Sequence, residues 1–457
     1  MEHTKSDRWF RLLHWMYFRG ASLQHWFGRR IRPAGVGVLM VTSLASFMSI
    51  GQPKNSIFQI FCFSLGILLL SLVWVVFRRA NVTAEIRIPE HSTVDELVRY
   101  SVNLKNHSKH KLKALGVEQS PPDPRPNADE FVNTPEPGES ERNLFDRKMV
   151  YYRWQWLLSR KRGYTPEVDS RLFDLEVGES KNLSLRLTPK RRGVFPLENL
   201  RLLLPDPLGL FQKCKEIPIK SSKLVVLPKR YRLPRFELPG SAAFRIGGQE
   251  TSNAIGNSGE FVGLREYRPG DSMRQIHWKS WAHTGKPMVK ELEDSFYPRY
   301  GLVLDTFPGS PNSLVFEEMV SVASSFVVGL DSNDVLLDLM FIADTAHTVT
   351  TGRGVGRPEK LLEVLAGVTV EAVDHFEELA STVSTYGDQL TACVLILNGW
   401  DKKREKFVNR MQKTGISCVA IILGEGEAPE GLKGYWLNCT NVSEELFRLP
   451  THLSKLI

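Results

Sequence analysis

The sequence predicts a multidomain, membrane-anchored chain: a two-helix transmembrane hairpin, an antiparallel β-sandwich, then a doubly wound α/β domain. Three observations carry this. Two uncharged apolar runs stand near the start of the 457 residues, short runs with period-two alternation follow them, and strand-like and helix-like segments alternate from residue 298 onward.

Residues 1–33 mix Trp9, Phe10, Trp15, Phe18, Trp26 and Phe27 with arginines. That composition suits the headgroup zone, so an interfacial membrane-surface helix is expected. A secretory signal is not expected, because the segment is too long and aromatic and no small-residue cleavage site follows. Residues 34–79 form the hairpin. Ala34 to Ile50 and Ile57 to Phe77 carry no charge. At about 1.5 Å per residue the second run spans a hydrocarbon core and the first lies near the lower limit. Arg29, Arg30 and Arg32 precede the first run, Arg78 and Arg79 follow the second, and the turn between them holds only Lys54. Positive flanks stay inside, so both termini and the soluble domains should face the cytoplasm.

Residues 80–235 read as the β-sandwich, from runs such as VTAEIRI, LVRYSVNLK and SKNLSLRLT separated by Pro, Gly and Asn. An insertion near 120–168 does not alternate. Its Tyr151, Trp154 and Trp156 stand beside Arg160, Lys161 and Arg162, a mixture able to stack on bases, but packing or the headgroup zone is the preferred reading and no nucleic acid is expected. Residues 236–297 are a charged connector without a clear apolar period. Residues 298–457 read as the α/β domain, with RYGLVLDT, VLLDLMFIAD, TACVLILNG and SCVAIIL as buried strands and SLVFEEMVSVASSFVVGL, RPEKLLEVLAGV and KKREKFVNRMQKTG as helices.

Charge divides the chain. Residues 1–290 hold 46 Lys and Arg against 27 Asp and Glu, whereas residues 291–457 hold 13 against 24. Because the basic part begins with apolar runs, membrane lipid is the expected counter-charge and the acidic part should point away from it. The five cysteines show no metal-ligand spacing and read as buried reduced thiols.

The connector holds the densest motif, GEFVGLREYRPGDSMRQIHWKSWAHTGKPMVKELE from Gly259 to Glu293. Pro269, Gly270 and Asp271 spell a turn, with Gly free to take positive φ and Asp capping the next element. The run Phe261 to Lys279 closely resembles the signature of the bacterial family known as domain of unknown function 58. The stretch LTPKRRGVFPLENLRLLLPDPLGLF from Leu187 to Phe211 resembles a second element of that family. Trp281 and His283 depart from it, standing where the family commonly has a small residue and an arginine. The resemblance implies a von Willebrand factor A-like fold for the last domain and a bacterial plasma (inner) membrane location. It also implies a protein partner, either a MoxR-type AAA+ ATPase or a transglutaminase-like membrane protein.

The expected role is a membrane-anchored scaffold or adaptor, with no cofactor and no catalysis of its own. Its signature residues Arg265, Glu266, Tyr267, Arg268, Pro269, Gly270, Asp271, Arg274, His277, Trp278 and Lys279 would form an interface, since Trp, Tyr and Arg dominate interface energetics. The competing reading has Arg265, Arg268 and Arg274 pairing with carboxylates across an interdomain seam. A hydrolase-type enzyme, with its site between sandwich and α/β domains, is the alternative, but no nucleophile motif accompanies His277, which reads as structural. The likeness to von Willebrand factor A raises a metal-ion site at Asp305. Phe307 and Gly309 occupy its two serine positions and Asn398 stands where an Asp would, so the site is degenerate, no metal is expected, and Asp305 reads as a capping or turn residue. Gly352, Gly354 and Gly356 read as a strand-to-helix loop, lacking the G-K-[ST] of a phosphate cradle.

Overall fold

The computed structural model describes residues 2–50, 56–167, 171–234, 260–293, 299–307, 313–330, 336–343, 345–351, 358–371, 374–387, 390–413 and 416–456. Two compact units emerge, one built mainly from residues 1–229 and one mainly from residues 230–457.

The first unit begins with three helices, α1 (Glu2–Arg30), α2 (Pro33–Met48) and α3 (Ser56–Phe77). Among the described residues only α3, at 22 residues, is long and apolar enough to cross a membrane. Helix α2 is apolar too, but its 16 residues reach about 24 Å, short of a hydrocarbon core. Pro33 starts it at the first helical position, where the missing N–H costs nothing.

Behind these helices two sheets share one core. The first has the order β1-β3-β7-β5 and the second β2-β9-β8-β4-β6. Their strands are β1 (Val82–Arg87), β2 (His91–Thr93), β3 (Val98–Asn106), β4 (Leu112–Gln119), β5 (Tyr164–Pro166), β6 (Phe173–Leu175), β7 (Ser180–Pro189), β8 (Gly193–Pro205) and β9 (Gln212–Leu227). Alternation does the sorting: in β3, Val98, Tyr100, Val102 and Leu104 face inward while Arg99, Asn103 and Lys105 face out. They meet Leu197, Leu200, Leu202 and Leu204 of β8 and Leu224 and Val226 of β9 across the core. Pairing is antiparallel except for the short β2, which runs parallel to β9.

The insertion folds as helices α4 (Ala128–Asn133), α5 (Leu144–Met149) and α6 (Tyr151–Lys161). It packs on α1. Leu13, Phe131, Val150, Trp154 and Leu157 form a small core with Phe10, Tyr17 and Phe18 at its edge. Arg153 is buried there, paired with Glu139 and donating to the Phe131 carbonyl at 3.0 Å. This revises the expectation for residues 1–33: one face of α1 is a structural wall. Its other face still exposes Trp9, Leu12, Trp15, Met16, Leu23, Trp26 and Phe27.

In the second unit, β10 (Glu260–Glu266) and β11 (Met288–Glu293) pair as an antiparallel hairpin around a short helix α7 (Trp278–Thr284). A six-stranded sheet follows, ordered β14-β13-β12-β15-β16-β17. It comprises β12 (Arg299–Leu304), β13 (Leu336–Ala343), β14 (Thr345–Thr351), β15 (Ala392–Asn398), β16 (Ser417–Gly424) and β17 (Tyr435–Asn438). All neighbours are parallel except β14, antiparallel to β13 at the edge. Every residue of β15 is buried, as a central parallel strand requires. Among the described residues five helices accompany the sheet: α8 (Ser313–Gly329), α9 (Pro358–Gly367), α10 (Phe376–Tyr386), α11 (Lys402–Lys413) and α12 (Val442–Leu456). The strand order reverses between β12 and β15, the switch point where doubly wound sheets place their ligands.

The five cysteines are free. Only Cys393 is fully buried; Cys62 is exposed on α3, contrary to the expectation that all five lie inside.

Candidate functional site

The signature run supplies both strands of the hairpin and everything between them. Arg265, near the end of β10, donates to both carboxylate oxygens of Asp271 at 2.7 Å each. Asp271 also accepts the Arg268 backbone N–H at 2.8 Å, and its own N–H donates to the Arg268 carbonyl at 3.1 Å. Gly270 between them takes φ +107°, a conformation that favours glycine. The fork of Arg265 beside Asp271 holds its carboxyl down, from 3.8 to about 2, with the Arg268 N–H assisting. Charge and turn chemistry together fix one loop shape.

Two backbone bonds then close the loop: Tyr267 N–H donates to the Pro287 carbonyl at 2.9 Å and His277 N–H to the Met288 carbonyl at 2.8 Å. The His277 imidazole caps α7, accepting the Ser280 N–H at Nδ1 with the Ser280 Oγ 2.7 Å away. Among the described residues no carboxylate orients this ring, so the pair is a helix cap and lacks the third member of a hydrolytic triad. Gly285 ends α7 in the left-handed region at φ +68°. Ile276 and Val289 are buried beneath and bridge the loop to β11.

What this frame presents is cationic and aromatic. Tyr267, Met273 and Trp278 are exposed, Trp278 to 60%. Trp278 stacks on Trp281 with ring centroids 5.3 Å apart and an interplanar angle of 19°. Arg268, Arg274 and Lys279 are exposed as well, and none has an ion pair among the described residues. Glu266, by contrast, pairs with Lys286 at 3.0 Å. Arg265 gives both terminal nitrogens of its fork to Asp271 within the loop. Sequence reasoning missed Trp281 as the partner of Trp278. The W-x-x-W spacing, three residues apart on a helix, is the signal that would have found it.

At the switch point of the large sheet, Asp305 is wholly buried. One of its oxygens accepts the Phe307 N–H at 3.1 Å; the other accepts the Asn398 N–H at 3.1 Å and Arg404 Nε at 2.7 Å. Asn398 Nδ2 donates to the Phe307 carbonyl at 2.8 Å. Arg404, at the start of α11, is itself buried and also pairs with Asp401 at 2.7 Å. Burial pushes the Asp305 carboxyl up, and the guanidinium and N–H groups pull against it. Desolvation likewise opposes the Arg404 charge, but the Asp305 and Asp401 carboxylates outweigh it and hold its pKa above the ordinary value. Asp305 thus does make the expected turn contact with Phe307, and it has a second role as the counter-ion of a buried arginine. The guanidinium stands where a cation would face this carboxylate. Among the described residues no group of three or more His, Cys, Asp or Glu is placed to hold a metal. Gly309 and the loop from 352 to 356 lie outside the described residues.

The stretch from Leu187 to Phe211 ends in the first unit as a clamp. Asp206 accepts the N–H groups of Leu208 and Phe211 at 3.0 and 2.8 Å, and Gly209 takes φ +69°. The turn so formed grips the joint between α1 and α2: Ile31 bridges Phe211, and Arg32 N–H donates to the Leu210 carbonyl at 3.0 Å. A Cβ on Gly35 would sit 2.2 Å from that carbonyl oxygen.

Comparison with known proteins agrees with part of this. Residues 263–380 match the family model described as "Protein of unknown function DUF58". The chain is 27% identical over 203 residues to the "Uncharacterized protein YeaD" of Bacillus subtilis (strain 168). That alignment covers 44% of this chain and 49% of the relative, so the chain spans about half the length of the curated relative it matches. Among solved structures, the CARDB domain of the PF1109 protein from Pyrococcus furiosus covers 32% of this chain and 91% of its own, at 13% identity and a TM-score of 0.14. The alkylpurine DNA glycosylase AlkC of Pseudomonas fluorescens covers 40% of this chain and 47% of its own, at 12% identity and a TM-score of 0.18. At such scores neither likeness bears on fold or function.

Proposed function

We propose that this chain is a membrane-anchored cytoplasmic scaffold without catalysis of its own, and that its signature hairpin docks an acidic protein surface. The observation that carries the reading is a division of labour inside one loop. Arg265 and Asp271 neutralise each other and set the shape, while Arg268, Arg274, Lys279, Tyr267 and Trp278 stand exposed on it. Exposed Trp and Arg on a preorganised turn suit a partner that offers carboxylates around an apolar slot.

The six-stranded sheet with its antiparallel edge is read as von Willebrand factor A-like, its switch point filled by Arg404. The apolar helices α2 and α3 are read as a two-pass anchor in the bacterial inner membrane, the shorter α2 crossing where the bilayer thins to meet it, with positive flanks holding both termini in the cytoplasm. A MoxR-type AAA+ ATPase is the proposed partner, with a transglutaminase-like membrane protein as the other candidate. A crosslinked pull-down of the full chain from its native membranes tests the docking claim. Arg268→Ala with Trp278→Ala should lose the ATPase while the melting temperature is unchanged. Retention of the ATPase by that double variant, or recovery of no ATPase by the wild type, refutes it. An alkaline phosphatase fusion scan tests the topology separately, since activity from a fusion after residue 90 contradicts it.

A further inference from the structure

At the sandwich end of α3 lies a cleft of about 1090 Å³ with two chemically distinct walls. One wall is apolar: Leu70, Val73, Trp74 and Phe77 of α3, all exposed. Facing it on the sandwich side, Leu172 and Leu208 are exposed too. The other wall carries Arg32, Arg78, Lys111 and Lys113 against a single carboxylate, Asp206, which is buried and spent on two backbone N–H groups.

These cations are not equally available. Lys111 pairs with Glu176 at 2.5 Å. Arg78 donates to the carbonyls of Pro205 and Lys113, which positions its charge without cancelling it. Burial presses the Arg78 pKa down, a sign that its charge is poorly solvated. Arg32 and Lys113 have no ion pair among the described residues. Backbone anchoring makes the site a built one: Lys213 Nζ donates to the carbonyls of Val76 and Arg78 at 3.1 Å each, tying the end of α3 to β9. The Asp206 turn fixes Arg32 from the other side, through its N–H to Leu210.

We infer that this cleft is a binding site for one anionic glycerophospholipid, whose phosphate sits between Arg32, Arg78 and Lys113 while an acyl chain lies along Leu70, Trp74 and Phe77. Lipid is favoured over free phosphate because the apolar wall belongs to the helix fit to span the membrane. There an acyl chain covers side chains that water would otherwise face. The inference rests on the membrane-anchored reading.

The test uses the full chain extracted in mild detergent and native mass spectrometry with phosphatidylglycerol, phosphatidylcholine of the same acyl chains, and inorganic phosphate as probes. Each cation near an anionic headgroup contributes about fivefold, so Arg32→Gln with Lys113→Gln should weaken phosphatidylglycerol retention by roughly 25-fold and phosphatidylcholine retention much less, because the choline already offsets its phosphate. Trp74→Ala should weaken both lipids. Equal retention of the two lipids by the wild type overturns the inference, as does an unchanged preference in the double variant. Displacement of phosphatidylglycerol by inorganic phosphate at equal concentration assigns the cleft to free phosphate and also overturns it. Carbonate extraction of membranes run alongside separates the two readings: a chain released by carbonate fails as a membrane anchor, whereas a retained chain without lipid preference fails only here.

Discussion

Replacing Arg404 by methionine removes the counter-charge of a carboxylate that has no access to water. Asp305 is wholly buried and Arg404 meets it at 2.7 Å. Breaking such a pair from one side costs about 3–5 kcal/mol, because the remaining charge is stranded in a low dielectric. In a domain of this size each kcal/mol lowers the melting temperature by about 2–4 °C, so a fall of roughly 6–20 °C is expected. A second substitution sharpens the test. Asp305→Asn in the wild type should destabilise, since it leaves Arg404 with the Asp401 carboxylate alone, and a single amide oxygen can serve only one of the two sides that Asp305 now serves, the Phe307 N–H or the Asn398 N–H. In the Arg404→Met background the same change removes the stranded charge and exchanges it for one unsatisfied N–H, about 1–3 kcal/mol. The double variant should therefore be more stable than Arg404→Met alone. Hydrogen exchange of peptides covering 300–304 and 392–398 reads the α/β unit directly, without interference from the sandwich. A cost under about 1 kcal/mol for Arg404→Met, or additive losses in the double variant, refutes the buried-pair account.

Three further outcomes are expected. Asp271 has its pKa depressed to about 2 from 3.8, so the order it gives the signature turn is present above pH 3.8 and lost as pH falls toward 2; Asp271→Asn should remove that acid transition, followed by the environment of Trp278 in fluorescence. Gly35→Ala should release the start of α2 from the Leu210 turn and speed exchange of the Arg32 amide, because the added methyl would stand 2.2 Å from a backbone oxygen that has no rotamer to move; an unaltered exchange rate contradicts the clamp. Trp154→Ala should cost about 3–5 kcal/mol in the core that joins α1 to the insertion, seen as loss of protection in residues 8–18 by hydrogen exchange; intact protection means that α1 holds its place by other means.

The sandwich strands were legible where alternation is long, as in Val98–Asn106, and illegible where it is three residues, as in β2, β5 and β6. Gln212–Leu227 reads as a strand only over its last six residues, because Lys213, Lys215 and Glu216 interrupt the apolar signal while the pairing with β8 continues. The hairpin β10–β11 was missed for a different reason. Its strands carry charge, so the antiparallel ladder between them has no apolar alternation to announce it, and the Arg265–Asp271 pair and two backbone bonds that shape the loop have no periodicity either. Asp305 was found by its place at a strand end, but Arg404, 99 residues away, was not. Distance along the chain hides such pairs, and a basic helix start is ordinarily a solvated one. The aromatic patch of the insertion fits packing and the headgroup zone equally in sequence; the structure packs it on α1, which was itself expected at the membrane surface. An amphipathic helix with two apolar faces satisfies either description until its neighbours are seen.

The scaffold reading stands or falls on whether the exposed face of the signature loop touches another protein. A photoreactive amino acid placed at position 278, irradiated in native membranes, reads that contact at a single side chain. The account predicts one major adduct with a cytoplasmic ATPase, abolished by Arg268→Ala and by Asp271→Asn, the second because the loop loses its shape. Adducts confined to peptides of this same chain would contradict it.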